Sequence, residues 1–175
     1  PIQLFACPPE NDNCDGAIEA AVNADLTCNV VTSGTITSAS PSGNESECIS
    51  DMDDDVWFSF SATSNAQLIS ITDIVGSTTN LGHALYVGTG NVLCSTLEEL
   101  YCVNNSSSIA EDLTVGTTYH IRIFSVGDDP QNVDFNLCIS NLPENTTCDN
   151  ATNFCGEGGA LYGTNIFGYP SLGSI

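Results

Sequence analysis

Apolar and polar residues alternate along most of this chain, and the period is two. The clearest run follows three adjacent acids: Val56, Phe58 and Phe60 alternate with Trp57, Ser59 and Ser61. That spacing puts successive side chains on opposite faces of an extended backbone, so one face is predicted to be buried. Aromatic and β-branched residues favour the pleated, half-buried setting. Further strands are predicted over 28–39, 68–74 (Ile69 and Ile71 on one face) and 82–87. Two more follow: Tyr119, Ile121 and Ile123 alternate with His120, Arg122 and Phe124, and residues 132–139 place Phe135, Leu137 and Ile139 together. Residues 17–22 fit a short strand or a helical turn, and the pattern does not choose. Residues 40–51, with Pro41 and Gly43, read as a loop, and 113–118 as a turn between strands. Residues 94–102 read as a short excursion. Short strands broken by Gly, Pro, Asn and Asp, without a long amphipathic helix, predict an all-β, antiparallel β-sandwich of jelly-roll or immunoglobulin-like type.

A repeat cuts across this pattern. Pro9-Glu10-Asn11-Asp12-Asn13-Cys14-Asp15 returns as Pro143-Glu144-Asn145-Thr146-Thr147-Cys148-Asp149, 134 residues on. Gly34-Thr35 and Pro41-Ser42 return as Gly163-Thr164 and Pro170-Ser171 at shorter offsets, so the second copy carries a deletion. The expected organisation is a leader or linker over 1–9, a sandwich unit over 10–142, and the first strands of a following repeat or an assembly extension over 143–175. A piece that short cannot bury a core alone. It is expected to lean on its own domain, on a neighbour, or on another copy by strand addition. The chain opens at Pro1, and a processed product or a fragment is expected.

Charge narrows the function. The 175 residues carry 22 Asp and Glu against a single basic residue, Arg122, for a formal net charge of -21. Nucleic-acid binding requires basic groups that replace counterions on phosphate, and it is excluded. Attraction to an anionic membrane is excluded on the same ground. No apolar run approaches the ~20 residues of a membrane span, so no direct membrane insertion is expected. Nine cysteines without Cys-x-x-Cys spacing point to an oxidising compartment rather than to zinc. Sequons begin at Asn44, Asn104, Asn105, Asn145 and Asn150, candidate glycosylation sites in a secreted protein. An extracellular or cell-surface location is expected.

The acids before the aromatic strand pose the sharpest chemical question. Calcium takes six to eight oxygens, and Asp53, Asp54 and Asp55, with Asp12 from the first loop, are the candidate ligands. Asp53 and Asp55 would share one side of the strand's start with Asp54 opposite. The alternative is a solvated acidic edge, the commoner explanation for such runs. Asp128 and Asp129 form a second acidic loop. Catalysis has no support: His83 and His120 are isolated, and neither Gly-x-Ser-x-Gly nor His-Glu-x-x-His occurs. Arg122 is expected to satisfy an acid on the sheet face. Trp57 is expected in the core rather than as a sugar platform, and Tyr86, Tyr101 and Tyr119 form no readable aromatic row.

Several motifs together carry a resemblance: Asn11-Asp12-Asn13-Cys14, Asp54-Asp55-Val56-Trp57-Phe58-Ser59-Phe60, Ile71-Thr72-Asp73-Ile74-Val75-Gly76, Leu113-Thr114-Val115-Gly116-Thr117-Thr118-Tyr119, and Phe135-Asn136-Leu137-Cys138-Ile139. The set resembles a repeat domain of large secreted, adhesin-like Bacteroidetes surface proteins, related to bacterial pre-peptidase C-terminal domains and commonly exported by the type IX pathway. The resemblance spans about residues 10–140. It implies a β-sandwich, usually in tandem, serving as stalk, adhesin or accessory module. It also implies a local disulfide between Cys94 and Cys102, as paired cysteines occur similarly in such domains. Cys14 with Cys138 would then tie the ends of the unit together, and Cys28 with Cys48 would remain. Six cysteines allow fifteen connectivities. Cys7, Cys148 and Cys155 are left for intermolecular bonds or for a truncated repeat. The expected function is non-enzymatic and structural or adhesive, with copies of the chain assembling into a filament or stalk. The alternative is a carbohydrate- or calcium-dependent ligand-binding module that contacts surface glycans.

Overall fold

The structure, a computed structural model, describes residues 7–42, 54–88, 96–127 and 129–143, with the backbone of Gly163–Thr164 and Pro170–Ser171. Its strands are β1 (Ile18–Glu19), β2 (Val22–Asn23), β3 (Thr32–Thr35), β4 (Asp55–Ser61), β5 (Gln67–Gly76) and β6 (Leu81–Gly88). Then come β7 (Leu97–Val103), β8 (Ser107–Ala110), β9 (Thr118–Ser125) and β10 (Val133–Asn141). One sheet has the order β1-β4-β9-β6-β7. The other has the order β2-β10-β5-β8, with β3 also paired to β10. The fold is a β-sandwich. Its long pairings are antiparallel, but β1 runs parallel to β4 and β2 parallel to β10. Both sheets are therefore mixed at their first strands, a departure from a purely antiparallel sandwich. The cause is the leading segment, which enters beside β4, crosses at Ala20 and Ala21, and continues along β10.

The core forms where the period-two faces meet. Val56, Phe58 and Phe60 of β4, Ile121 and Ile123 of β9, Ile69 and Ile71 of β5, and Leu137 and Ile139 of β10 are all essentially buried. Each such side chain contributes roughly 1.5–3 kcal/mol by leaving water. Phe58 meets Phe135 edge-on across the sandwich, with ring centroids 6.0 Å apart. Gly34 lies against both rings: a Cβ there would stand 2.7 Å from each. The other face of β4 is buried too. Trp57 packs with Ala84, Tyr86, Phe124 and Cys14 in a second cluster. The leading segment reaches this strand through Asn11: the Trp57 N–H donates to the Asn11 carbonyl (2.8 Å), and Asn11 Nδ2 donates to the Trp57 carbonyl (2.9 Å).

Two predicted elements change. The strand expected over 28–39 is confined to Thr32–Thr35. Cys28 (φ 49°) and Ser38 (φ 63°) lie in the left-handed region, which a regular strand does not accommodate, and Asn23 holds the loop by exchanging hydrogen bonds with Val30. The excursion expected over 94–102 contains β7, and β8 follows it in the other sheet. Tertiary contacts divide the chain into Pro1–Asn141 and Leu142–Ile175. In the second unit Gly163–Thr164 pairs antiparallel with Pro170–Ser171.

Candidate functional site

Consecutive residues of a strand point to opposite faces, and Asp54 and Asp55 are separated in this way. Both are fully buried. Asp54 accepts hydrogen bonds from the Ser125 amide (3.0 Å), the Ser125 hydroxyl (2.7 Å) and the Gln131 amide (2.5 Å). Desolvation nevertheless raises its pKa above the ordinary carboxylate value, against the lowering effect of those donors. Asp55 points to the opposite face. Arg122 Nη2 lies 2.6 Å from its Oδ2, the Ser42 amide donates to the same oxygen (2.9 Å), and the Ser42 hydroxyl donates to Oδ1. That hydroxyl in turn accepts the indole N–H of Trp57 at 2.8 Å.

Arg122, the chain's sole cation, is 1% exposed. Trp57 and Arg122 are paired across β4 and β9, and the guanidinium carbon sits 5.6 Å from the indole centroid. Tyr86 also packs against Trp57, 5.2 Å between centroids, and donates its hydroxyl hydrogen to Glu99 (2.8 Å). Burial first, then the Glu99 carboxylate, pushes the Tyr86 hydroxyl up to about 12. The arrangement is a clamp: a buried ion pair that joins β4 to β9 and is hydrogen-bonded to the segment at Ser42.

The sequence expectations for these acids are corrected accordingly. Asp12, Asp54 and Asp55 do not form a shared ligand set. Asp12 accepts from the Ser40 amide and hydroxyl, both at 2.6 Å, and among the described residues no group of three His, Cys, Asp or Glu could hold a metal ion. The solvated edge fails as well, because Asp54 and Asp55 are the best-buried carboxylates of the described residues. Asp53 and Asp128 lie outside the described residues. The expected cysteine pairing changes too. Cys28 is bonded to Cys138, so Cys14 does not close onto Cys138 and Cys28 does not pair with Cys48. The mixed topology is the reason: β2 runs along β10 and brings the loop after it, with Cys28, over that last strand. Cys14 and Cys102 each take part in a disulfide as well, and not with one another. Cys48, Cys94, Cys148 and Cys155 lie outside the described residues. Cys7 is exposed and reduced. Of the sequons, Asn104 and Asn105 stand exposed between β7 and β8; Asn44, Asn145 and Asn150 lie outside the described residues.

Two arrangements escaped the sequence reading. The first joins His83 of β6, fully buried, to the corner between the sheets. His83 Nδ1 lies 2.9 Å from the Asn105 carbonyl, His83 Nε2 lies 2.6 Å from the Ser108 hydroxyl, and that hydroxyl lies 2.8 Å from the Tyr101 hydroxyl. One proton arrangement satisfies every group. Tyr101 donates to Ser108, Ser108 donates to Nε2 of a neutral imidazole, and Nδ1–H donates to the carbonyl. Burial holds the His83 pKa down at about 4. No spacing in the sequence signals this contact, since Ser108 is 25 residues away.

The second is an open groove of about 670 Å3 where the leading segment passes β3, β5 and β10. Glu10, Asn11, Ser33, Asp73, Asp134 and Asn136 line it, over Phe135 and beside Val75. Asp73 reaches it through a β-bulge: between Asn136↔Thr72 and Asp134↔Val75, two residues of β5 oppose one of β10. Asp73 takes the left-handed conformation there (φ 49°), which aspartate tolerates better than most residues. Its carboxylate then accepts from Asn136 Nδ2 at 2.9 Å. Tyr86, Tyr101 and Tyr119 offer no aromatic platform. Tyr86 and Tyr119 are buried, Tyr101 is half-buried, and all three hydroxyls are hydrogen-bonded internally.

A family model described as galactose binding domain-like, associated with type IX secretion, matches residues 10–137. No curated protein matches the sequence significantly. Among solved structures, the chain is similar to the pre-peptidase C-terminal domain of collagenase from Bacillus anthracis. The identity is 11%, the match covers 69% of this chain and 95% of that one, and the TM-score is 0.36. It is also similar to PliG of Aeromonas hydrophila, a periplasmic inhibitor of g-type lysozyme. There the identity is 10%, the coverage 70% and 97%, and the TM-score 0.39.

Proposed function

Because the chain belongs to the galactose binding domain-like family associated with type IX secretion, we propose that it is a non-catalytic extracellular module with a structural and adhesive task. The observation that carries this reading is where the chemistry-bearing side chains go. The sole cation and two of the acids that looked reactive are sealed inside as fasteners. Arg122–Asp55 binds β9 to β4, Asp54 binds the start of β4 to the segment before β10, and Cys28–Cys138 ties the early loop to the last strand. Breaking one partner of a buried ion pair typically costs 3–5 kcal/mol, so each fastener resists local opening. A unit tied from its first segment to its last strand suits a tandem array that bears load.

In this reading copies of the chain associate into a filament or stalk. At a net charge of -21 they repel one another at low ionic strength, and association therefore needs screening salt or a divalent cation. Sedimentation velocity over a concentration series, at low salt, at high salt and with calcium, tests this. Larger species that grow with concentration under screening support assembly. A monomer in every condition overturns it.

A further inference from the structure

The outermost strands of a sheet present open backbone amides and carbonyls, and proteins blunt such edges with charge, proline, bulges or shortness. β1 and β2 are two residues long, and Glu19 stands on β1. β7 carries Glu98 and Glu99 and pairs with β6 across a bulge. β3 lies along the groove lined by Glu10, Asp73 and Asp134. β8 (Ser107–Ala110) is the last of the described strands on its side of the second sheet, and it carries no charge, no proline and no bulge. No charged residue stands between Tyr101 and Ala110, in a chain of net charge -21. The uncharged surface continues inward from that edge, because cross-strand partners share a face. The register sets Ile109 beside Leu68 and then Ser140, and Ser107 beside Ser70 and then Cys138. The ladder also fixes which backbone groups are open. The Ile71 amide donates to the Ser106 carbonyl at 2.7 Å, so Ile71 and Ser106 form a hydrogen-bonded antiparallel pair. Such pairs alternate along a ladder. Ser108 and Ala110 are the next residues bonded to β5, and the N–H and C=O of Ser107 and Ile109 point to the free edge. Ser107 is exposed and Ile109 half-buried.

We infer that, within the self-association proposed above and resting on it, β8 is the edge at which two copies join, as an antiparallel pair about a two-fold axis at Ser108. An antiparallel edge is its own complement under such an axis. The register pairs Ser107 with Ile109 of the second copy, and Ile109 with Ser107 of the second copy. All four open backbone groups of each copy are then used. Ser108 itself faces inward to His83 and stays out of the contact. Charge selects the occupant. Two molecules that each carry -21 repel wherever their carboxylates meet, and this edge keeps them apart. The first carboxylate beyond it, Glu111, falls opposite Asn105 of the second copy, an exposed amide rather than another acid. A basic segment of another protein gains nothing here, because no charge lies along the strand.

The test combines sedimentation velocity with residue-resolved amide exchange by NMR, at high salt so that general repulsion is screened. Ser107→Pro removes an N–H that the internal ladder does not use, a position where an edge strand tolerates proline. Ser107→Glu places a carboxylate at the same exposed position and keeps the N–H. Circular dichroism checks that both fold, and Ser107→Glu decides the matter if the proline does not. The expected result is exchange at the Ser107 and Ile109 amides that slows as concentration rises, and association at least about tenfold weaker in each variant. Association unchanged in the folded variants, with those two amides indifferent to concentration, overturns this edge and leaves self-association standing. A monomer in every condition overturns both.

Discussion

Acidification should weaken this fold through His83, although a chain so rich in carboxylates would be expected to gain from losing charge. In the fold the imidazole must be neutral, because Ser108 donates to Nε2 and Nδ1–H is held by the Asn105 carbonyl. Its pKa is about 4 in the folded chain against an ordinary 6.5. The depressed value fixes the sign. The unfolded chain binds the proton first, so the His83 contribution is complete above pH 6.5 and is lost as pH falls toward 4. Linkage gives a loss of about 2 kcal/mol by pH 5 and about 3 kcal/mol by pH 4. His83→Gln isolates it. A glutamine amide can donate and accept like the neutral ring but cannot take a proton. Urea unfolding of both proteins from pH 7.5 to 4, about half a unit at a time, cancels every other titrating group in the difference. The wild type should exceed the variant at pH 7, and the gap should close by about 3 kcal/mol at pH 4. Parallel curves would refute the argument, as would an NMR titration of the His83 ring near its ordinary value.

Two further outcomes follow from the buried clamp and the core. Asp55→Asn leaves Arg122 charged and buried beside Trp57; it should cost about 3–5 kcal/mol, equally with calcium and with chelator, by thermal unfolding. A loss seen only with calcium would restore a cation role for this residue. Gly34→Ala drives a methyl to 2.7 Å from the Phe58 and Phe135 rings and should cost about 1–3 kcal/mol by urea unfolding; Phe135→Leu in the same background should recover part of it.

The alternation of Val56, Phe58 and Phe60, of Ile121 and Ile123, and of Phe135, Leu137 and Ile139 determined the sandwich and most of its core. Period-two burial is a local property, readable without knowing which strand lies opposite. The same local pattern let Arg122 be matched to an acid on the sheet face, while the partner became Asp55 only through the pairing of β4 with β9. Composition likewise carried the expectation of disulfides, because a cysteine count needs no coordinates, and Cys28–Cys138 is one. The remaining features are products of tertiary structure. Three adjacent acids look like a ligand cluster in one dimension, yet adjacent strand residues diverge, so Asp54 and Asp55 serve different partners on different faces. Cys28 rather than Cys14 meets Cys138 because a two-residue parallel pairing steers the early chain over β10. The groove owes its composition to a bulge, and the His83 network to a corner between sheets. Both bring together residues far apart in the chain. Such contacts are set by register and crossover, which a single sequence does not encode locally.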